Sequence, residues 1–596
     1  DSNPCCPFQL LWLRGAQQHA RLQPPGGDVI APLLQNATPC TLNVTTLPDA
    51  LERAARDGAF LWVAVKDAEA RECPLRDVLD RASRLARRLV SQGMRPGERA
   101  ALMLPTGEAW LTAFFGTLLA GGVAVPIASN LSFGGMDRYS ETVRTVFKAA
   151  GARFLLGDAA IEPYVAALGG PDSPLEAFVR ADVLDGPPAG AVALPSPSPD
   201  ALAVIQYTSG TTGAPKGVML SHRALLSNVQ MIGERVGMSP RDVGVSWLPL
   251  FHDMGLVGAL LTALYWRYPL LLMPVESFLL QPRRWLQWMG RKRATLSVAP
   301  NFAYQFVIDR VAERHLTALD LSAWRCAFNG AEAVRPSTLR AFAERFGPLG
   351  FSSRAFQPVY GMAENALAAT FPPAGDPWRA TRFEARELVS VGTPLAGVSV
   401  AVVDERGAPL ASGEAGSILL RSPSLMQGYF RNEAASAAVL RDGWLHTGDI
   451  GFVRDGELFV TGRSKELIIK RGRNYVPDEL EGVAVEAGKG RVLRAAAFGM
   501  ADEGAGTERL VLVLETRPGS AREQERLKRD VEAALIAAIG VGADATLVVP
   551  PRTIERTTSG KLRRADLRTR YLDGRLRELA GTAAPASAAL EPGGEP

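Results

Sequence analysis

Tyr207-Thr208-Ser209-Gly210-Thr211-Thr212-Gly213-Ala214-Pro215-Lys216-Gly217 follows the apolar run Ala201-Leu202-Ala203-Val204-Ile205. The run reads as a buried strand. Glycines in the loop let the backbone approach an anion closely, the hydroxyls donate hydrogen bonds, and Lys216 adds a point charge. Such a loop suits a triphosphate. It is not the Gly-x-x-x-x-Gly-Lys-Ser/Thr loop of P-loop nucleotidases, because the glycine and lysine spacing differs. The competing reading, a plain Gly/Ser/Thr surface loop, does not account for an ordered pattern directly after a buried strand.

Outward from this loop, strand-like and helix-like segments alternate. Strands are expected at 99–104, 123–127, 154–156, 243–248, 270–273, 294–298, 325–328 and 356–359, with helices at 108–120, 221–235 and 256–266. Alternation of this kind implies mainly parallel sheets covered by helices, an α/β fold. Residues 111–128 carry no charge. Gly121, Gly122 and Pro126 interrupt them, so they read as a buried helix–turn–strand unit and not as a membrane span.

At 596 residues the chain exceeds what one hydrophobic core organises, so at least two domains are expected. A net charge of +4 gives no reason to propose nucleic acid as a partner. Cys5, Cys6, Cys40, Cys73 and Cys326 show no metal-ligand spacing, which points to a reducing, cytoplasmic setting. No secretory signal is evident. Residues 1–40 read as a disordered extension and 576–596 as a disordered tail rich in Ala, Pro, Gly and Glu. A large domain would occupy 41–461 and a small α+β domain 467–575. The polar stretch 462–466, with Ser464 and Lys465 at its centre, would be the hinge.

Four further motifs follow in order. Asn329-Gly330-Ala331-Glu332 and Tyr360-Gly361-Met362-Ala363-Glu364 each come after a short strand. Trp444-Leu445-His446-Thr447-Gly448-Asp449 contains a Gly-Asp turn, and Thr557-Thr558-Ser559-Gly560-Lys561-Leu562-Arg563 lies near the end of the α+β unit. Taken singly, each reads equally well as an ordinary turn or a solvated charge.

Together with the phosphate loop, these motifs resemble those of the adenylate-forming acyl ligases, and the resemblance covers roughly residues 45–570. It implies a large N-terminal domain and a small mobile C-terminal one, and a reaction that uses ATP and Mg²⁺. On this resemblance Thr208, Ser209, Gly210, Thr211, Thr212, Gly213 and Lys216 would hold the phosphates. Gly330, Ala331, Glu332, Tyr360, Gly361 and Met362 would line adenine and ribose, with Tyr360 stacked on the base. Asp449 would accept the ribose hydroxyls, and Arg463 would face ribose or phosphates. Glu364 and Thr208 would support Mg²⁺, and Lys561 would approach the α-phosphate and the substrate carboxylate.

Phe251-His252-Asp253-Met254-Gly255-Leu256, Ala299-Pro300-Asn301-Phe302 and Leu425-Met426-Gln427-Gly428-Tyr429-Phe430 resemble the branch that handles fatty acids. His252, Asp253, Met254 and Gly255 are therefore the candidate acyl-binding residues, near Leu256, Leu260, Leu264, Trp266 and Leu271. The expected function is ATP-dependent activation of a medium- or long-chain fatty acid to acyl-AMP. Transfer to a thiol follows, with an acyl carrier protein favoured over CoA. The rivals are a long-chain acyl-CoA synthetase, an aryl- or amino-acid-activating domain and a silent adenylate-binding protein. Fatty-acyl-AMP ligases carry an insertion after Tyr-Gly-x-x-Glu that restrains the small domain. Here the 26 residues 365–390 form an intermediate-length segment, with 372–386 as a surface excursion.

Overall fold

The run before the phosphate loop forms the strand Leu202–Thr208, and Ala203, Val204, Ile205 and Gln206 within it are buried. A strand apolar on both faces belongs inside a parallel sheet covered on both sides. The computed structural model describes residues 33–64, 69–128, 136–165, 174–183, 192–208, 215–383, 386–470, 473–502, 507–556 and 562–579.

In the first sheet, Ala177–Arg180, Phe154–Gly157, Arg99–Leu102, Val123–Pro126 and Leu202–Thr208 run parallel, and Lys216–Ser221 closes the edge antiparallel. Side chains alternate across it with the period of two of a pleated strand. Ala101 and Val125 pack with Val146 and Phe147 of the helix Met136–Ala150. Leu102 and Ala124 pack in the main core with Leu111 and Phe114 of the helix Glu108–Leu119, which is buried almost all round. Among the described residues no helix is long and apolar enough to cross a membrane.

A second sheet repeats the plan. Phe356–Pro358, Cys326–Gly330, Leu296–Pro300, Gly244–Ser246, Leu270–Leu272 and Phe60–Ala64 are parallel, and Ala70–Pro74 is an antiparallel edge. The expected strands are thus present to within a few residues. The expected helix at 256–266 begins differently: Met254–Leu261 is a wide π-turn that tightens into the α-helix Thr262–Trp266. Such wide turns are rare and concentrate at functional sites.

The third sheet was not foreseen. It is antiparallel and built from Ser399–Val403, Gly416–Arg421, Trp444–Arg454, Leu440–Arg441 and Glu457–Arg463. Its outer strand is Leu34–Gln35, paired with Val400 and Ser399. Residues 33–40 are therefore not a disordered extension, because Leu33, Leu34 and Cys40 pack on the main core. The tail needs a similar correction: Leu576 packs on the C-terminal core, and the Leu579 N–H donates to the Val548 carbonyl at 2.9 Å.

After residue 466 a separate core begins, with Ile468, Leu480, Ala484, Leu512, Leu527, Val531 and Leu535 buried together. Val492–Asp502, Thr507–Thr516 and Ala545–Val549 form its sheet, flanked by the helices Pro477–Ala487, Ala521–Ile539 and Arg564–Leu572. Ser520 and Glu523 cap the longest helix reciprocally, and Gly540 ends it in the left-handed conformation. We call the parts before and after the link the large and small lobes.

Candidate active site

Three candidate segments lie at carboxyl ends of parallel strands, where ligands of α/β sheets collect. Thr208 ends Leu202–Thr208, Gly330 ends Cys326–Gly330, and Tyr360–Gly361 follows Phe356–Pro358. A Cβ on Gly361 would stand 1.9 Å from the Leu367 carbonyl oxygen, and one on Gly330 would stand 2.8 Å from that of Val359. Only glycine permits these backbones to approach so closely. Ala331 follows at φ 67°, a left-handed turn that directs the chain away from the strand end. The Met362 N–H closes the Tyr360–Gly361 turn on the Leu367 carbonyl at 2.8 Å.

Asp449 is 5% exposed and accepts two side-chain hydrogen bonds. The Tyr360 hydroxyl donates to its Oδ2 at 2.8 Å, and Arg463 Nε donates to its Oδ1 at 3.0 Å. Sheet register creates the second contact, since Asp449 and Arg463 are cross-strand partners. Burial first, and Asp449 next, hold the Tyr360 hydroxyl far above its usual range, so it remains a donor. Tyr360, Asp449 and Arg463, which lie far apart in sequence, meet here.

Glu364 sits beside this group. The Tyr429 hydroxyl donates to its Oε1 at 2.8 Å, and Lys216 Nζ stands 4.7 Å from the centre of the Tyr429 ring. Burial, then Glu364, raises the Tyr429 hydroxyl, which also stays protonated. Lys216 pairs with Thr208 across the strands flanking the phosphate loop. Ser209, Gly210, Thr211, Thr212 and Gly213 lie outside the described residues, as does Lys561.

Sequence reasoning assigned no role to Tyr429 or Asn228. The fully buried Asn228, on the helix His222–Val236, donates from Nδ2 to the carbonyls of Asn365 (3.1 Å) and Ala368 (2.8 Å) and to Ser424 Oγ (3.0 Å). Its Oδ1 accepts from the Ala368 N–H at 3.1 Å. Asn228 thereby pins the backbone next to Glu364. The available signal was an amide set among Leu225, Leu226, Val229 and Met231.

The candidate acyl-binding residues form the entry to the π-turn. Asp253 caps it, accepting from the Met254 N–H at 2.8 Å, and the His252 carbonyl accepts from the Leu256 N–H at 2.8 Å. Met254 and Gly255 are buried, while His252 and Asp253 are partly exposed. Leu256, Leu260, Leu264 and Leu271 belong to the main hydrophobic core, as does Met254.

Gly462 and Arg463 finish the strand Glu457–Arg463, so the link narrows to the single turn Ser464–Glu466. Its two ends are tied to different lobes. Ser464 Oγ donates to the Gly448 carbonyl at 3.1 Å in the large lobe. Glu466 accepts from Arg564 of the small lobe, which also binds Asp478 (2.8 Å) and Glu481 (2.7 Å). Lys465 lies between the two anchors. Glu332 accepts from the Phe302 N–H at 2.5 Å, and Arg556 of the small lobe approaches its other oxygen at 3.4 Å.

The excursion 372–386 contributes to a β-hairpin of Ala380–Phe383 and Arg386–Val389. Phe383 stacks on Phe452 with ring centres 4.6 Å apart, and Phe452 stacks on Phe459. Arg386 donates to the Thr461 carbonyl, and Arg454 donates to Thr381 Oγ1 at 2.8 Å. The hairpin thus lies against the strand that leads into the link.

Residues 51–430 match the family of AMP-binding enzymes. A Caulobacter vibrioides protein named as a candidate acyl-CoA synthetase is 34% identical over 92% of this chain and 98% of its own length. The medium-chain-fatty-acid–[acyl-carrier-protein] ligase JamA of Moorena producens is 31% identical over 87% of this chain and 93% of its own. Among solved structures, one from a study of fatty acyl-adenylate ligases of E. coli and L. pneumophila superposes with a TM-score of 0.83. It is 33% identical and covers 91% of this chain and 99% of that one. Family motifs, fold and relatives of this kind agree: the chain belongs to the AMP-binding, adenylate-forming enzymes and is a ligase of the fatty-acyl-AMP ligase and acyl-CoA synthetase type, which uses ATP to form an acyl-adenylate.

Proposed function

We propose that this enzyme activates a medium- or long-chain fatty acid and passes the acyl group to the phosphopantetheine thiol of an acyl carrier protein. The observation that carries the active-site reading is the junction of Tyr360, Asp449 and Arg463 beside Glu364 and Tyr429. In this reading Asp449 receives the ribose hydroxyls, and Tyr360 and Gly330 border the base. Lys216 and the loop 208–213 neutralise the phosphates. The fatty-acid carboxylate attacks the α-phosphorus, a P–O bond forms, and the bond to the departing pyrophosphate breaks. Positioning and charge neutralisation supply most of the acceleration. Lys561 holds the attacking carboxylate against the α-phosphate, and His252, Asp253, Met254 and Gly255 shape the approach of the acyl chain.

Mg²⁺ fits the donors present. Glu364 has one carboxylate oxygen on Tyr429 and a second for a cation, and Thr208 supplies a hydroxyl. Hard oxygen donors together with substrate phosphates suffice for this ion, without a cage of protein ligands. When bound, it neutralises phosphate charge.

The acceptor assignment is supported by the hairpin packed against the strand into the link, in the position after Tyr-Gly-x-x-Glu where a restraint on the small lobe would disfavour free CoA. JamA, whose name specifies a carrier-protein acceptor, is a relative of similar length. A reducing, cytoplasmic setting suits the free thiols Cys40, Cys73 and Cys326. The test is mass spectrometry of products from ATP, mixed fatty, aryl and amino acids, and either CoA or carrier protein. Acyl-AMP and acyl-carrier products are expected. Rapid acyl-CoA formation by the unmodified enzyme overturns the acceptor, and selective use of an aryl or amino acid overturns the substrate.

A further inference from the structure

Charges of both signs from the two lobes come together where the lobes meet. On the large lobe stand Glu332, Arg335 and, from the hairpin, Arg386; on the small lobe stand Arg556 and Asp478. Arg556 approaches Glu332 Oε2 at 3.4 Å and lies over the Phe302 ring at 5.9 Å. Arg335 acts electrostatically on both Glu332 and Asp478, and Arg386 acts on Asp478. Within the small lobe, Arg564 ties Asp478 to Glu481 and to Glu466 of the link turn. The array is therefore continuous from the base-binding strand end to the pivot.

The opposite-charge contacts outweigh two like-charge ones in this seating, since Arg556 also feels Arg335 and Glu332 also feels Asp478. Sliding the small lobe so as to lengthen the Arg556–Glu332 contact would leave those repulsions unopposed. Part-exposed ion pairs add little stability singly. Their effect falls on which orientation is populated, and a contact that biases orientation leaves the folded core untouched. Arg556 also lies five positions before Lys561 in the sequence.

We propose that these cross-lobe charge contacts seat the small lobe for the adenylation half-reaction, with Arg556 as the positioning residue acting through Glu332. The inference rests on acyl-adenylate formation as read above.

The test compares wild type, Arg556→Ala, Arg556→Lys and Arg335→Glu in two assays and by thermal unfolding. One assay is pyrophosphate release with ATP and fatty acid; the other is thioester formation from supplied acyl-adenylate. Arg556→Ala should slow the first by roughly tenfold, a typical coupling between sites, with no comparable loss in the second and no change in melting temperature. Arg556→Lys should recover most of the first rate, and Arg335→Glu should slow it without affecting the second. Equal loss in both assays would make Arg556 merely structural, and no loss in either would make the contact idle; each result overturns the proposal. A wild-type enzyme that releases no pyrophosphate with any fatty acid sinks the underlying reading instead, and this inference with it.

Discussion

Asp449 and Glu364 in the large lobe each hold a tyrosine hydroxyl at 2.8 Å, and Asp449 and Tyr360 are buried. Between the lobes, Arg556 and Glu332 meet at 3.4 Å with side chains 31% and 18% exposed. Removing one partner of a buried hydrogen bond costs ~1–3 kcal/mol, whereas an exposed ion pair contributes ~0–1 kcal/mol. On the proposed reading, the groups facing the nucleotide would be fixed before substrate arrives, and the interface would be weak enough to break and remake in each cycle. Catalysis by preorganised dipoles needs the first property, and delivery of a different lobe face to each half-reaction needs the second.

The sharpest attempt to break this contrast is Lys561→Ala. Acyl-adenylate formation should fall by on the order of a thousandfold, the scale for losing one electrostatic stabiliser. Thioester formation from supplied acyl-adenylate should change far less, and single-turnover assays of the two halves decide. Equal loss in both would show that the small lobe serves one fixed site.

Lys465→Pro addresses the pivot. It lies in the turn Ser464–Glu466, between an anchor to each lobe, and proline would hold φ near about −65°. Adenylation should survive while transfer to the thiol drops by about tenfold. A variant that transfers at the wild-type rate would place the pivot elsewhere.

Shortening residues 372–386 examines the packing of Phe383 on Phe452. If the hairpin restrains the strand into the link, wild-type enzyme should accumulate acyl-AMP. The shortened form should pass acyl groups to CoA on the order of fivefold faster. Unchanged CoA transfer, measured as acyl-CoA by mass spectrometry, would remove the restraint from the argument.

Asn228→Ala should have the smallest catalytic meaning and a clear stability effect. The Ala368 N–H would lose its side-chain acceptor, and the Asn365 and Ala368 carbonyls, which keep other donors, would each lose one, at a cost of ~2 kcal/mol. Calorimetry should record a lowered large-lobe transition and an unaltered small-lobe one. A shift in both would contradict two separate cores.

The sequence carried local information well. Buried strands alternating with amphipathic helices, and glycine where backbones touch, were legible because both follow from near neighbours along the chain. Leu202–Thr208, Cys326–Gly330 and the Tyr360–Gly361 turn emerged within three residues of expectation. The resemblance to the family supplied Asp449 and Glu364, which composition alone could not have singled out, whereas Lys216 stood out from its own loop. Tyr429 was missed because its partner Glu364 is 65 positions away, and Asn228 because its partners lie across the core. The third sheet was missed because its antiparallel strands do not follow the strand–helix alternation that marks the two parallel sheets. The interface of Glu332, Arg335, Arg556 and Asp478 depends on how two separately folded lobes sit, and no local pattern encodes that.

The pairing of Leu34–Gln35 with Ser399–Val403 has a consequence during synthesis. A ribosome adds about 5–20 residues per second, so the strand at residue 34 waits roughly 20–70 s for the partner at residue 400 to be made. Both parallel sheets can assemble in that interval, yet the third sheet lacks its outer strand until the last of them is complete. The N-terminal segment then closes the large lobe like a seal, with the Asn36 N–H on the Val398 carbonyl at 3.0 Å and Asn36 Nδ2 on that of Pro394 at 3.3 Å. A nascent chain stalled before residue 400 should expose this segment to proteases, whereas the finished protein should protect it.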